Sequence, residues 1–137
     1  MWKLYALLSA LFAAVTAILA KVGVKGISGN VATAVRTAIV LLLAWGIVLF
    51  GGQLKEVKEL SRTNLLFLFF SGIATGLSWI FYFKALETGD VSKVAPIDKL
   101  SIVFVMLLAF LILREPADIK TIAGGLLIVA GTLVMIW

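Results

Sequence analysis

Four ionisable residues fall inside the apolar runs of this chain rather than between them: Arg36, Lys84, Asp98 and Lys99. Such groups cost at least about 2.5–3.5 kcal/mol each at the centre of a membrane helix, so they normally turn to the protein interior or to a wet cavity. Asp98 can neutralise one of the three cations directly, and the surplus positive charge suits an anion or the carboxylate of a zwitterion. A second reading stands beside this one. Arg36 and Lys84 have stems long enough to snorkel to headgroups, and Asp98 with Arg36 or Lys84 would equally make a structural pair that fixes helix register. Asp98 and Lys99 are harder to place in lipid, because adjacent helical residues point about 100° apart and a short Asp cannot reach far.

Close in sequence lie hydroxyls and aromatics at helical spacing, Ser71, Thr75, Ser78, Trp79 and Tyr82, with Ser101 following the Asp98–Lys99 pair. They suit the wall of a small-molecule cavity and equally a helix core with an interfacial aromatic belt. Pro96 either kinks its helix as a hinge or occupies an ordinary place near a helix start. Hydrolytic and metal chemistry find no support. The chain has no cysteine and no histidine, Ser101 has no base to activate it, and no glycine-rich phosphate cradle follows a strand. Neither an enzyme, a metal nor a cofactor is expected.

These residues must be positioned by membrane helices. The 137 residues are 63% hydrophobic and 14% charged, with a mean hydropathy of +1.18, whereas soluble domains average about 25% charged residues. Uncharged runs cover Leu4–Ala20, Thr37–Leu54, Thr63–Phe83, Leu100–Leu113 and Thr121–Trp137. The fourth would rise only about 21 Å, short of the roughly 30 Å of hydrocarbon. Its helix must therefore start near Val91 and carry Asp98 and Lys99 inside. The second similarly starts near Val31 and includes Arg36. Helices are predicted over approximately 3–21, 31–51, 63–86, 91–113 and 118–137, an all-α integral membrane bundle forming one domain over 1–137. The first run resembles a secretory leader, but its apolar stretch exceeds the roughly 7–15 residues of a cleavable one.

The connections Lys21–Asn30, Lys55–Arg62, Leu86–Asp90 and Arg114–Lys120 are short, so consecutive helices are expected to be antiparallel. Five spans then place the chain ends on opposite faces. The N-terminal face holds Lys3, Lys55, Lys58, Arg62, Arg114 and Lys120, and the other holds Lys21, Lys25, Arg36, Lys84, Lys93 and Lys99. Orientation follows Lys/Arg asymmetry; the count ties at six against six, and discounting Arg36 and Lys99 as intramembrane leaves the N-terminal face ahead by two, so insertion is expected both ways or, weakly, with the N-terminal face inside. The net charge of +5 is scattered at run ends rather than striped, so no nucleic-acid partner is expected. Small residues mark contact surfaces: Gly72 and Gly76 in the third span, and Gly124, Gly125 and Gly131 in the fifth, which is assigned to pairing between copies.

Tyr82–Asp90, Ser92–Ser101, Leu113–Pro116 and Gly124–Gly131, with Arg36 upstream, together resemble the EamA domain of the drug/metabolite transporter superfamily. Most members of that family look like two inverted five-helix repeats around a central pathway, and this chain is one such repeat. The resemblance implies an antiparallel homodimer of ten helices, with the first, third and fourth spans lining the pathway and the fifth packing between protomers. It implies a multi-pass transporter of a prokaryotic plasma (inner) membrane, exporting or exchanging small amphipathic metabolites or drugs. The related small multidrug resistance proteins use a first-helix glutamate, which this chain lacks, leaving Asp98 as the intramembrane proton carrier. Two alternatives stay open: a flippase for lipid-linked substrates, or a non-transporting half that needs a partner subunit.

Overall fold

The computed structural model describes residues 1–116 and 118–137, and position 117, within the expected fourth connection, lies outside the described residues. All regular structure among the described residues is helical, and five stretches are long and apolar enough to cross a membrane. They group into two compact units, Met1–Thr88 and Gly89–Trp137.

The first unit comprises α1 (Trp2–Gly23), α2 (Gly29–Phe50), the short α3 (Leu54–Lys58) and α4 (Arg62–Thr88). At 1.5 Å per residue, α1 and α2 each rise about 33 Å and α4 about 40 Å, so α4 is longer than the roughly 30 Å of hydrocarbon. Side-chain caps set two starts. The Ser28 hydroxyl accepts from the Val31 amide at 3.4 Å, and the Ser61 hydroxyl from the Asn64 amide at 3.1 Å. With Ser28 as the cap, α2 begins at Gly29, two residues before the expected start. The glycine pair Gly51–Gly52 ends it, with Gly52 at φ 71°, a left-handed conformation open to glycine at little cost. The charged Lys55–Lys58 segment, read from sequence as a plain connection, forms the single turn α3.

Packing in this unit runs through α4, which meets α2 extensively and α1 less so. The buried side chains gather at one end: Ala17 and Ala20 of α1, Ala32 and Thr33 of α2, Phe83 and Leu86 of α4, with Val24 between α1 and α2. Leu86 is fully enclosed. Gly29 permits the closest approach, since a Cβ there would lie 3.0 Å from both the Lys84 nitrogen and the Phe83 carbonyl carbon. Elsewhere the large apolar side chains, such as Leu42, Phe67 and Phe70, face outward. That is the expected arrangement where the solvent is hydrocarbon.

The second unit comprises α5 (Val91–Asp98), α6 (Ser101–Leu108), a π-helical turn (Ala109–Leu113) and α7 (Ile119–Ile136). Val91–Leu113 forms one apolar span broken at Lys99–Leu100. Tight i→i+3 bonds carry the chain through the break, from the Leu100 amide to Ile97 and from Ile102 to Lys99, both 3.0 Å. Pro96 sits inside α5, and the interruption follows three residues after it. The π turn ends on Arg114 at φ 55°, and the amides of Arg114 and Glu115 both return to the Ala109 carbonyl. Pro116 cannot continue the helix. Asp118 then starts α7 by accepting from the Thr121 amide at 2.6 Å.

Gly29→Ala tests whether the α2–α4 approach holds the first unit together. Two of the three obstructing atoms belong to backbone and cannot rotate aside, so a loss of about 1–3 kcal/mol is expected, as for overpacking elsewhere. Gly46→Ala, in the same helix with nothing within 4 Å of its added Cβ, should be neutral or stabilising by up to about 1 kcal/mol. Denaturant unfolding in detergent micelles reads both, and equal midpoints for the two variants would refute the assigned role of Gly29.

Candidate functional site

Gly29, Ala32, Thr33 and Arg36 recur at the i, i+3, i+4, i+7 spacing of one helix face, and Trp79, Phe83 and Leu86 do the same on α4. The two faces form an antiparallel seam. At its outer end the Gly29 amide donates to the Glu87 carboxylate, and the Lys21 ammonium donates to the Leu86 carbonyl at 2.6 Å. An anion thus sits at the start of α2 and a cation near the end of α4, the signs each helix dipole favours. Inside the seam the Thr33 hydroxyl donates to the Gly29 carbonyl, and Thr37 to Thr33, both at 2.7 Å. These hydroxyls are satisfied within their own helix.

Seven residues, or about 10 Å, beyond the start of α2, Arg36 turns toward α4. Its guanidinium carbon lies over the Trp79 indole, 4.2 Å from the ring centroid, and 5.6 Å from the Phe83 centroid. Cation–π contacts of this kind contribute about 0.5–2 kcal/mol, more as water is removed. Tyr82 packs edge-on against Phe83, with centroids 6.4 Å apart at 84°. Arg36 is half-buried, and among the described residues no carboxylate comes within ion-pair distance of it. It therefore does not snorkel away from the protein.

Beside Arg36 lies a cavity of about 420 Å³, walled by Thr16 and Leu19 of α1, Val35, Ile39 and Val40 of α2, and Phe83 of α4. The expected wall differs from this. Trp79 supports Arg36 from the α4 side, while Ser71, Thr75 and Ser78 stay exposed, the Thr75 hydroxyl bonding back to the Ser71 carbonyl at 2.9 Å. Phe83, Ile39 and Val40 escaped functional notice in the sequence, although Phe83 follows Trp79 by four residues and Ile39 and Val40 follow Arg36 by three and four.

Lys84 is exposed, and its long stem is free to reach outward. Asp98 and Lys99 meet each other, with Nζ 3.4 Å from Oδ2 and side chains 37% and 55% exposed respectively. Asp98 thus meets its chain neighbour at the end of α5, in an exposed ion pair. Ser101 opens α6 and is exposed. The Pro96 carbonyl accepts a long hydrogen bond, 3.4 Å, from the buried Thr132 hydroxyl of α7, which ties the segment before the break to the fifth span.

Among the glycines assigned to packing, Gly125 is buried under Met106, whose Sδ and Cε would lie 3.0 and 2.9 Å from an added Cβ. Gly72, Gly76, Gly124 and Gly131 have no described atom within 4 Å of that position. Their small size serves no close approach among the described residues.

Residues 1–137 match the EamA-like transporter family over their full extent. An uncharacterized transporter in the cobO 3' region of a Sinorhizobium species is 46% identical over 134 residues, covering 98% of this chain and 95% of that protein. No solved structure gives a significant match. A multi-pass helical chain, matched along its length by a transporter family and by a relative named as a transporter, belongs to the EamA-like transporter family.

Proposed function

We propose that the chain works as an antiparallel homodimer of ten spans, exporting or exchanging small amphipathic metabolites or drugs across a prokaryotic inner membrane by alternating access. The observation that carries this reading is the odd number of spans, five, beside basic residues divided nearly evenly, six against four once Arg36 and Lys99 are counted as intramembrane. An odd count separates the chain ends, and a near-even charge division weakens the bias that normally fixes orientation. Two copies inserted oppositely would recreate the inverted repeats from which transporters of this kind are built. The match to a protein named as a transporter supports the activity, because it runs over 95% of that protein's length. The Arg36 cavity supports a polar anchor within an apolar site. The flippase alternative rests instead on a positive mouth meeting a phosphate headgroup, and thermal stabilisation of the purified protein by polyprenyl phosphates, but not by soluble amphipaths, would favour it.

Topology is the direct test. Single cysteines placed at either end of this cysteine-free chain and labelled on intact cells with an impermeant maleimide should each react in part. Complete labelling of one end and none of the other would mean a fixed orientation and remove the antiparallel homodimer.

Lys99, half-exposed beside Asp98 at the α5–α6 break, is assigned as a gate residue. Lys99→Ala should abolish flux in proteoliposomes screened with amphipathic acids, amines and amino acids, with the elution volume of the assembled protein unchanged. Wild-type flux in that variant would end the assignment.

A further inference from the structure

We infer that the cavity beside Arg36 binds a monoanionic organic carboxylate with an apolar tail, a substrate class that rests on the transporter reading and narrows it. The site lies wholly within the first unit, built from α1, α2 and α4. Three observations define the ligand.

The first is the state of the guanidinium. Its central carbon lies over the Trp79 ring at 4.2 Å and 5.6 Å from the Phe83 centroid, contacts that favour the charge without supplying a carboxylate. Among the described residues no hydrogen-bond acceptor and no carboxylate engages its N–H groups. A guanidinium offers donors in a planar fork that matches a carboxylate in two parallel hydrogen bonds. A guanidinium held by aromatic rings, with no described carboxylate within ion-pair distance, suits that ligand.

The second is charge. Arg36 is the one ionised residue on the cavity wall among the described residues, so a single negative charge balances it. A phosphate monoester, with about 1.5–2 negative charges near neutrality, would leave an uncompensated charge in a low dielectric. An ammonium ligand would be repelled outright.

The third is the remainder of the wall. Leu19, Val35, Ile39, Val40 and Phe83 present hydrocarbon, and the volume of about 420 Å³ falls within the range of about 300–1,000 Å³ typical of small-molecule sites. Removing an apolar tail from water contributes roughly 0.8 kcal/mol per methylene. Acetate alone would gain none of this.

The acid can come from water as a metabolite or from the bilayer as a free fatty acid, and a binding measurement separates these sources. The protein is placed in nanodiscs with Trp79 as its sole tryptophan, the other three changed to Phe. Fluorescence quenching is then titrated with 8-bromooctanoate from the aqueous phase and with 9,10-dibromostearate in the bilayer, against 8-bromooctylamine and 8-bromooctyl phosphate. Saturable quenching by either acid is expected, at least ten-fold weaker in Arg36→Gln and similarly weakened in Ile39→Phe, which keeps the cation and fills the cavity. The acid that saturates identifies the source. Equal quenching by the amine, tighter binding of the phosphate, or affinity unchanged in Arg36→Gln would each overturn the inference. Flux is not read in this experiment. An acid that binds through Arg36 but is never transported counts against the transporter reading alone, and transport without Arg36-dependent quenching counts against the site alone.

Discussion

A helix leaves four amides and four carbonyls open at its ends, to be met by side chains, by water or by a neighbouring helix. In the first unit two of these groups are met across helices. Glu87, near the end of α4, accepts from the first amide of α2, and Lys21, near the end of α1, donates to a terminal carbonyl of α4. Because donor and acceptor belong to different helices, the caps also fix register. Once Gly29 lies against the Phe83–Lys84 backbone, helical spacing alone brings Arg36, two turns on, level with Trp79. The Arg36–Trp79 geometry depends on how the helix ends are satisfied, two turns away from it.

Hydrocarbon supplies no drive to press helices together, which gives the few specific contacts more weight than they would have in water. The buried side chains of the first unit gather around the capped end, and no span buries more than 11% of its most apolar stretch. Cohesion is concentrated rather than spread. On the transporter reading, a repeat of this kind can part from its neighbours along most of its length while the capped end keeps α1, α2 and α4 as one body. That is the division of labour rocking motions need.

The spans were legible in the sequence because length and hydropathy are sufficient to define them, and so was the need to begin the fourth near Val91. Arg36 with Trp79 was visible as a cation and an aromatic in neighbouring spans, but their contact was not, since it depends on register set by Gly29 and Glu87. Gly29 falls within the expected connection Lys21–Asn30 and Glu87 within Leu86–Asp90; nothing local marks a glycine whose missing Cβ matters only to another helix. The Asp98–Lys99 contact was not read from the sequence, where adjacent helical residues point about 100° apart; it forms at the end of α5, where the long Lys99 stem reaches the Asp98 carboxylate. The π turn at Ala109–Leu113 has no periodic signature at all, since five apolar residues read the same in any helix.

The glycines that meet nothing among the described residues carry the last step. A glycine inside a helix destabilises it by roughly 0.5–1 kcal/mol relative to alanine, so Gly72, Gly76, Gly124 and Gly131 together weaken α4 and α7 without improving any described contact. Lipid chains do not require small residues; a closely approaching backbone does. Gly72 and Gly76 stand one turn apart on α4, and Gly124 and Gly131 two turns apart on α7, each pair on one face. On the antiparallel reading such a strip has a use, as a surface on which a second copy can approach closely. Charge balance and surface relief are then separate requirements of the same assembly, since the first concerns only how a copy inserts and the second only what it meets afterwards.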